Sequence, residues 1–190
     1  RDKTQAALES KLADWPAGAV THRVPSPTPQ PKRQRRVETL EKKQAAVAIG
    51  FPGVCFDDSH RCALDLIQEA CSDMGSRLFV RIRDELGLAY YVGAQHVPGL
   101  IPGYFSFYAG TSPESAATVE KELLAEVSRL RQEGLSDKEL ERAKATVLGQ
   151  RKIARQDLGH LSMTAALDEL YGLGYQRFKQ EDKEYASVSA

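Results

Sequence analysis

Residues 75–95 read GSRLFVRIRDELGLAYYVGAQ, and the rest of the chain is arranged around this stretch. Ser76 is a residue type that caps helices, and the apolar residues after it recur at helical spacing, which predicts a short helix. Gly87 favours a left-handed helix stop, and the β-forming residues beyond it predict an immediate strand. The predicted inward side chains are Leu78, Phe79, Ile82 and Leu86, and the predicted outward ones are Arg77, Arg81 and Asp84.

Two side chains flank this predicted turn and are the candidates for chemistry. Arg83 lies on the last helical turn and Tyr90 opens the strand. A guanidinium and a phenol both donate hydrogen bonds, and together they suit the binding of a peptide carbonyl or the stabilisation of an oxyanion. The residues alone leave a second interpretation open, in which Arg83 pairs with a surface carboxylate and Tyr90 is an ordinary strand aromatic.

Upstream of the turn the sequence predicts a strand and a helix. Residues 45–49 (AAVAI) are continuously apolar, as in a strand covered on both faces, so we expect this strand to be central in the sheet. Asp57 or Asp58 is placed to cap the next helix, and Gly75 to end it. The side chains predicted to face the core from this helix are Ala63, Leu66, Ile67, Ala70, Cys71 and Met74.

Downstream of the turn, residues 89–95 and 103–109 are both rich in β-formers. The short connection between them contains two prolines and a glycine, so we expect the two strands to pair as neighbours. Alternation along the second strand places Phe105, Phe107 and Ala109 on one face and Tyr104, Ser106 and Tyr108 on the other.

Three helices are predicted in the second half of the chain. Residues 112–114 (SPE) start a long helix that ends at Gly134, with an apolar stripe made by Ala116, Val119, Leu123, Val127 and Leu130. A capping box of Ser136 and Glu139 opens the next helix, whose predicted buried side is Leu140, Ala143, Val147, Ala154 and Leu158. The last helix is predicted from His160 to about Tyr171, before two glycines.

The order of these elements predicts an α+β fold, with helices packed on one face of a mostly antiparallel sheet. One surface is left open to two interpretations. The remaining faces of the helix that follows the capping box are basic, which fits either a solvated face or a ligand surface. The basic residues concerned are Arg142, Lys144, Arg151, Lys152 and Arg155.

Residue composition and a proline-rich segment predict the domain organisation. Residues 1–31 are interpreted as the end of a preceding region followed by a proline-rich linker at 24–31 (VPSPTPQP), and residues 32–190 as one domain. Both chain ends fall inside helical patterns, so we expect a piece of a longer protein. The balance of 42% hydrophobic and 27% charged residues is typical of a soluble globular chain, and no apolar run approaches the length of a membrane span.

The charge balance and the motifs of the sequence argue against several classes of function. The 26 basic and 26 acidic residues cancel, so the cluster at residues 32–36 (KRQRR) is interpreted as a solvated edge, not as a nucleic-acid patch. The four histidines form no paired zinc motif, and no nucleophile elbow or phosphate loop is present. Cys55, His60 and Cys62 make only a loose array, which leaves a cysteine- or metal-dependent activity as a third and weaker hypothesis; Cys71 is predicted to be a packing thiol.

A resemblance to a known family bears on Arg83 and Tyr90. The run GSRLFVRIRDELGLAYYVGA, with its R-x6-Y step, resembles the second domain of pitrilysin-type zinc metallopeptidases, the relatives of insulin-degrading enzyme and mitochondrial processing peptidase. QAAVAIGFPG before it resembles the family's first core strand, and GLSDKELERAKATVLGQ after it resembles a late helix. The three stretches stand in the family's order, and the resemblance covers about residues 33–174.

The resemblance implies a peptidase built from paired α+β domains in two halves that close around a peptide. It implies that zinc is held by an H-x-x-E-H motif and a distal glutamate in the first domain of one half. Arg83 would then position the substrate, and Tyr90 would hydrogen-bond the carbonyl under attack. This chain lacks the zinc motif, so we expect no metal in it, zinc on a partner domain in the same polypeptide or another subunit, and no activity of the chain alone.

A second hypothesis belongs to a different class. Members of the family that keep this domain and lose catalysis are scaffolding or substrate-presenting subunits, and this chain could be one of them. The presence of both Arg83 and Tyr90 favours the peptidase interpretation, because a scaffold would not need the pair. The sequence leaves the substrate and the compartment open.

Overall fold

The structure is a computed structural model and describes residues 2–16, 18 and 32–190. It confirms the predicted α+β class, with a three-stranded antiparallel sheet in the described residues. In chain order the elements are α1 (Asp2–Leu12), β1 (Ala45–Pro52), α2 (Arg61–Ser72), a π-helical segment (Phe79–Glu85), β2 (Ala89–Val97), β3 (Tyr104–Thr111), a 3-10 turn (Pro113–Ser115), α3 (Ala116–Glu133), α4 (Asp137–Ala154), α5 (Leu158–Leu170) and α6 (Phe178–Ser187).

The sheet has the order β1-β3-β2, so the predicted pairing of β2 with β3 is confirmed. The prediction that β1 is central is wrong, because β3 occupies that position within the part of the chain that the structure describes. Along β1, half-buried residues alternate with exposed ones. The exposed positions include Ala46 and Ala48, whose small apolar side chains made a half-exposed strand look like a fully covered one.

One face of the sheet, called the inner face, packs against the π-helical segment, α2 and α3. The predicted stripe of Phe105, Phe107 and Ala109 is buried on this face, which confirms the alternation of β3. Val119 and Leu123 of α3 are completely buried against it. The helix stripe and the strand stripe therefore meet to form the main core, as their separate periodicities require.

Helix α2 closes the outer edge of β2, which no other strand covers in the described residues. The Ser72 hydroxyl donates to the Ala94 carbonyl (3.0 Å) and accepts the Ala94 N–H (3.1 Å). The Gln68 side-chain oxygen accepts the His96 N–H at 2.6 Å. Two polar side chains thus satisfy three outward backbone groups of β2, which would otherwise belong to an open sheet edge.

A second core lies on the other side of α2, against α4 and α6. Its buried members include Leu66 and Ala70 of α2, Leu140 of α4 and Tyr185 of α6. The Tyr185 hydroxyl donates to Asp65 at 2.6 Å, and the other oxygen of Asp65 lies 2.7 Å from Nδ1 of the buried His96. The predicted core face of α2 is therefore divided, because Ile67 and Cys71 pack toward the sheet and Leu66 and Ala70 toward the helices.

Three side chains predicted to be buried are exposed. Met74 lies beyond the end of α2 at Ser72, so the helix stops before the predicted Gly75 and Met74 never joins its buried face. Leu86 follows the π-helical segment, whose extra residue per turn shifts the phase of the pattern. Leu158 starts α5 after a break that follows Ala154, so it does not continue the buried side of α4.

The helix starts and stops of the second half follow the sequence signals. The capping box of Ser136 and Glu139 is formed at the start of α4, and Gly134 adopts φ 70° where α3 ends. Asp157 caps α5 by accepting the His160 N–H, so this helix begins at Leu158 and contains Gly159. The predicted last helix is thus present two residues earlier than expected, and α6 follows it.

The arginines on the basic face of α4 are paired with carboxylates of neighbouring elements, whereas Lys152 is exposed. Arg155 holds Asp182 of α6 through two contacts of 2.6 Å, which keeps the pKa of that carboxyl below its usual value. Arg151 pairs with Glu181 of the same helix, and Arg142 pairs with Asp73 at 2.7 Å. The arginines fasten α6 and the end of α2 to α4.

The predicted linker and the basic cluster lie near the start of the chain, where the structure describes only some residues. The predicted linker at 24–31 falls outside the described residues, so the division into 1–31 and 32–190 stays a prediction. In the cluster at 32–36 the side chains are exposed, and Arg35 pairs with Glu120 at 3.0 Å. Across the residues that the structure describes, no helix has both the length and the apolar character to cross a membrane.

Replacing Leu66 tests the packing of α2. Its side chain is fully buried (0% exposed), so Leu66→Ala should lower the free energy of unfolding by about 2–5 kcal/mol, through lost burial and the cavity left behind. The matched control is Met74→Ala, at a side chain that is 79% exposed, with an expected change within about 0.5 kcal/mol. Chemical denaturation measures both, and equal effects would contradict the observed register of α2.

The reactivity of Cys71 tests the main core. Burial raises the pKa of the Cys71 thiol to about 12, because the apolar surroundings disfavour the thiolate. At pH 8 only about one thiol in ten thousand would be ionised, so iodoacetamide should modify Cys71 only after unfolding. Mass spectrometry of native and denatured samples measures this, and native labelling as fast as that of a free thiol would contradict the prediction.

Candidate functional site

The segment that carries Arg83 is anchored at its start. The Ser76 hydroxyl accepts the Phe79 N–H at 3.1 Å, which confirms the predicted cap. Ser76 itself is fully buried, and Leu78 and Ile82 are buried in the main core. These two anchors, four residues apart, fix one side of the segment to the core, so that Arg83, next to Ile82, turns toward solvent.

The chain then reverses at Gly87. Gly87 adopts φ 64°, the left-handed conformation that the sequence predicted for this position. The Leu88 N–H donates to the Ile82 carbonyl at 2.9 Å, which closes the turn onto the π-helical segment. Ala89 and Val92 of β2 are buried again, whereas residues 83–87, Tyr90 and Tyr91 are exposed.

Arg83 differs from its two neighbouring arginines. Arg77 pairs with Glu139 at 2.6 Å, and Arg81 pairs with Glu85 at 2.9 Å. The exposed Arg83 has no carboxylate within 4.0 Å in the described part of the chain, and its guanidinium lies over the Phe79 ring at 4.8 Å. The surface ion pair considered as the alternative for Arg83 is therefore not formed among these residues.

Arg77 corrects one sequence expectation. We expected it to point outward, and instead its guanidinium is half-buried between α3 and α4. It donates to Glu139 and to the Gly134 carbonyl at 2.7 Å, and it lies 3.5 Å from the buried Glu126. A long side chain with five donors can serve three elements at once, which spacing along one helix does not reveal.

Tyr90 occupies a β-bulge. Ala89 pairs with Thr111 and Tyr91 with Gly110, so Tyr90 is an extra residue without a partner in β3. The bulge places two consecutive side chains on the exposed side, with Tyr90 56% and Tyr91 48% exposed. The Tyr90 hydroxyl makes no hydrogen bond to any described residue.

Arg83 and Tyr90 both flank the chain reversal at Gly87, and the two side chains do not contact each other. Both are exposed, and they stand on opposite sides of Gly87. No hydrogen bond or ring contact links these two described residues. The arrangement offers two hydrogen-bond donors that can reach a ligand from solvent.

Sequence reasoning missed the bulge and the tyrosine at its end. Tyr91 was not singled out, and strict alternation from Ala89, which the structure shows to be buried, would turn it inward. A signal was present in the repeated Tyr-x-Gly pattern of the two strands, Tyr91 to Gly93 and Tyr108 to Gly110. In the structure each tyrosine lies opposite the glycine of the other triplet.

The array of Cys55, His60 and Cys62 is not a cluster. His60 Nδ1 lies 3.0 Å from Asp58, whereas the Cys62 sulfur lies 3.8 Å from Glu184 of α6. Cys55 forms an isolated bridge with Gly99. The described residues contain no group of three or more histidine, cysteine, aspartate or glutamate side chains arranged to hold a metal ion.

Comparisons with known proteins bear on the whole fold. The family described as peptidase M16 inactive domain matches residues 1–147. An uncharacterized zinc protease of Streptomyces coelicolor is 33% identical over 138 residues, which cover 71% of this chain and 30% of the relative. The chain thus spans about a third of the length of such curated relatives.

Solved structures agree on the fold. A protease from Helicobacter pylori superposes with a TM-score of 0.80 and 17% identity, covering all of this chain (100%) and 47% of that one. A peptidase M16 inactive domain from Pseudomonas fluorescens superposes with a TM-score of 0.69 and 19% identity, covering 79% of this chain and 36% of that one. With the family match over residues 1–147, the conclusion is that this chain belongs to the family of peptidase M16 inactive domains.

Proposed function

We infer that this domain holds a peptide substrate and stabilises the transition state of its hydrolysis for a zinc site on a partner domain. Two things support this function. The chain belongs to the inactive-domain family, and its relatives include proteins named zinc proteases. In addition, Arg83 and Tyr90 stand exposed at one reversal with no polar partner among the described residues.

The observation that carries the proposal is the unused hydrogen-bonding capacity of this pair. Arg77 and Arg81, on the same segment, are both engaged by carboxylates, whereas Arg83 is held only over the Phe79 ring. Contact with the ring restricts the guanidinium without satisfying its five N–H groups. A donor that is held in place and left unsatisfied suits an acceptor supplied from outside the chain.

The two donors suit different atoms of a peptide. The planar fork of Arg83 can bind a backbone carbonyl or a carboxylate through two parallel hydrogen bonds and so hold the peptide in register. The single O–H of Tyr90 can donate to the carbonyl oxygen under attack, where negative charge grows in the transition state. The bulge fixes Tyr90 to a strand of the sheet, which reduces the reorganisation needed as that charge develops.

The described residues do not offer a zinc site of their own. The proposal therefore places zinc on a partner domain, either in the same polypeptide or in another subunit. The chain covers about a third of its curated relatives, which leaves length for such a domain in proteins of that size. This chain would contribute hydrogen-bond donors and substrate contacts.

The second candidate is a scaffolding or substrate-presenting subunit without catalysis. The description of the matched family as an inactive domain supports it, as does the lack of a metal-holding group in the described residues. A scaffold needs the fold and its surfaces, and it does not depend on the Tyr90 hydroxyl. The two candidates therefore differ in whether removing that one oxygen changes peptide hydrolysis.

Removing the Tyr90 hydroxyl tests the proposed role. In the full-length protein, Tyr90→Phe should lower the turnover of a peptide substrate by about ten- to a thousandfold, the range for losing one donor to a developing oxyanion. Tyr104→Phe is the matched control, because Tyr104 is another exposed tyrosine, at the far end of β3. Steady-state kinetics measure both, and unchanged turnover in Tyr90→Phe would favour the scaffold.

Metal analysis tests where the zinc resides. The purified 190-residue chain should carry far less than one zinc ion per molecule after dialysis, because it presents no ligand set of the kind zinc requires. The full-length protein, measured in parallel by atomic emission, should retain its zinc. One tightly bound zinc ion per isolated chain would overturn the assignment of zinc to a partner domain.

A further inference from the structure

A cavity of about 280 Å³ lies between α5, α6, the start of α2 and the end of α4. The residues that line it are distinct from those of the reversal that carries Arg83 and Tyr90. Helix α5 faces the cavity with side chains three or four residues apart, so one side of this helix forms a wall. The volume is near the lower end of the range for ligand pockets, so an occupant has to be small.

Three arginines in the wall are engaged by carboxylates of α6. Arg61 and Arg151 both pair with Glu181, and Arg155 holds Asp182 through two contacts of 2.6 Å. These pairs fasten α6 to α2 and α4. Their charges therefore serve the fold and are not available to a ligand.

Two other charged side chains of the wall are left without such partners. The Oδ2 atom of Asp168 is buried and has no hydrogen-bond partner among the described residues. The Arg177 guanidinium is only 16% exposed, and its nearest carboxylate in the described chain, that of Glu184, lies at 3.7 Å. That distance is too long for a hydrogen bond. Since charges removed from water need compensating partners, Asp168 and Arg177 would each gain from a ligand group of opposite charge.

The rest of the wall is mainly apolar. Phe56 and Tyr171 are stacked, with their ring centroids 4.9 Å apart and their planes within 8° of parallel. Leu161 and Leu173 add aliphatic surface. Leu167 lines the cavity and is also exposed, so the cavity opens to solvent beside it. The part of a ligand that joins its two charged groups would therefore contact apolar surface.

We propose that this cavity binds a small zwitterion of the amino-acid class, with its ammonium group on Asp168, its carboxylate on Arg177 and an apolar body against the stacked rings. A guanidinium binds a carboxylate through two parallel hydrogen bonds, and an ammonium group donates up to three. A simple anion or cation would satisfy only one of the two side chains and leave the other without a partner. The site lies apart from the proposed peptide contacts and does not depend on them.

Equilibrium binding of defined probes tests the site. The full-length protein is titrated, with ligand-observed NMR as the readout, with leucine and with ε-aminocaproate. The two charges of leucine share one carbon, whereas those of ε-aminocaproate stand at the ends of an apolar chain. At least one probe should bind with a Kd of about 1 mM or tighter, and the comparison shows which charge separation the cavity accepts. Acetylating the amine or amidating the carboxylate of the tighter probe should weaken binding about tenfold or more.

Four variants connect each charge of the probe to its side chain. Asp168→Asn should remove the penalty for acetylation and keep the penalty for amidation, whereas Arg177→Gln should do the reverse. Glu133→Gln and Arg131→Gln are the matched controls, because both residues are exposed at the end of α3 and lie outside the cavity lining. Both controls should keep both penalties. Thermal unfolding of each variant shows whether the fold is intact.

Three outcomes would overturn the proposal. The first is that neither zwitterion binds at about 10 mM, well above the expected Kd. The second is that the wild type binds the zwitterion and its blocked analogues equally, a comparison that needs no variant. The third is that both penalties persist in a folded Asp168→Asn or Arg177→Gln. Unchanged turnover in Tyr90→Phe bears only on the proposed catalytic role and leaves these binding measurements unaffected.

Discussion

One hydroxyl group joins α2 to both backbone groups of a residue in the sheet. Ser72, the last residue of α2, bonds both the N–H and the carbonyl of Ala94 and so takes the place of a neighbouring strand residue. Gln68, one turn earlier, serves the N–H of His96 in the same way. An uncovered strand edge exposes backbone groups that either need water or recruit another strand. By closing this edge, α2 fixes its own position, and both cores are then built on its two sides.

The reversal at Gly87 follows from the same arrangement. Leu78 and Ile82 hold the π-helical segment in the main core, and Val92 returns β2 to it. Between these anchors Leu88 and Ala89 still contact the core, whereas residues 83–87 and the two tyrosines after Ala89 are exposed. The extra residue at the bulge then adds a second outward tyrosine to the one that alternation provides. A core on one side of the reversal therefore leaves Arg83, Tyr90 and Tyr91 exposed.

Two buried carboxylates of this chain are paired by arginines within it. The buried Glu126 is held between Arg77 and Arg129, and the buried Glu181 is paired by Arg61 and Arg151. Carboxylates in such positions are stabilised only while their partners remain, so these arginines are committed to the fold. Arg83 differs from these four arginines, because no carboxylate lies within 4.0 Å of its guanidinium in the described residues.

Local signals in the sequence determined most of the helix ends and the pairing of β2 with β3. The Ser76 cap, the left-handed Gly87 and the capping box at Ser136 act over three or four residues, so neighbours in sequence suffice to specify them. Three stretches in the family's order, at residues 44–53, 75–94 and 134–150, together identified the family. The edge position of β1 could not be read in this way, because Ala46 and Ala48 are apolar whether a face is covered or open.

Only the tertiary structure decided which charges remain available and what stands beside Tyr90. The partners of Arg77, Arg151 and Arg155 come from elements distant in sequence, so the basic face of α4 could not be interpreted from its own helix. The bulge and the reciprocal rings on Gly93 and Gly110 depend on the register between two strands, and a shift of one residue would turn them to the other face. Local chemistry specifies where elements start and stop, whereas register and long-range pairing specify which side chains a ligand can reach.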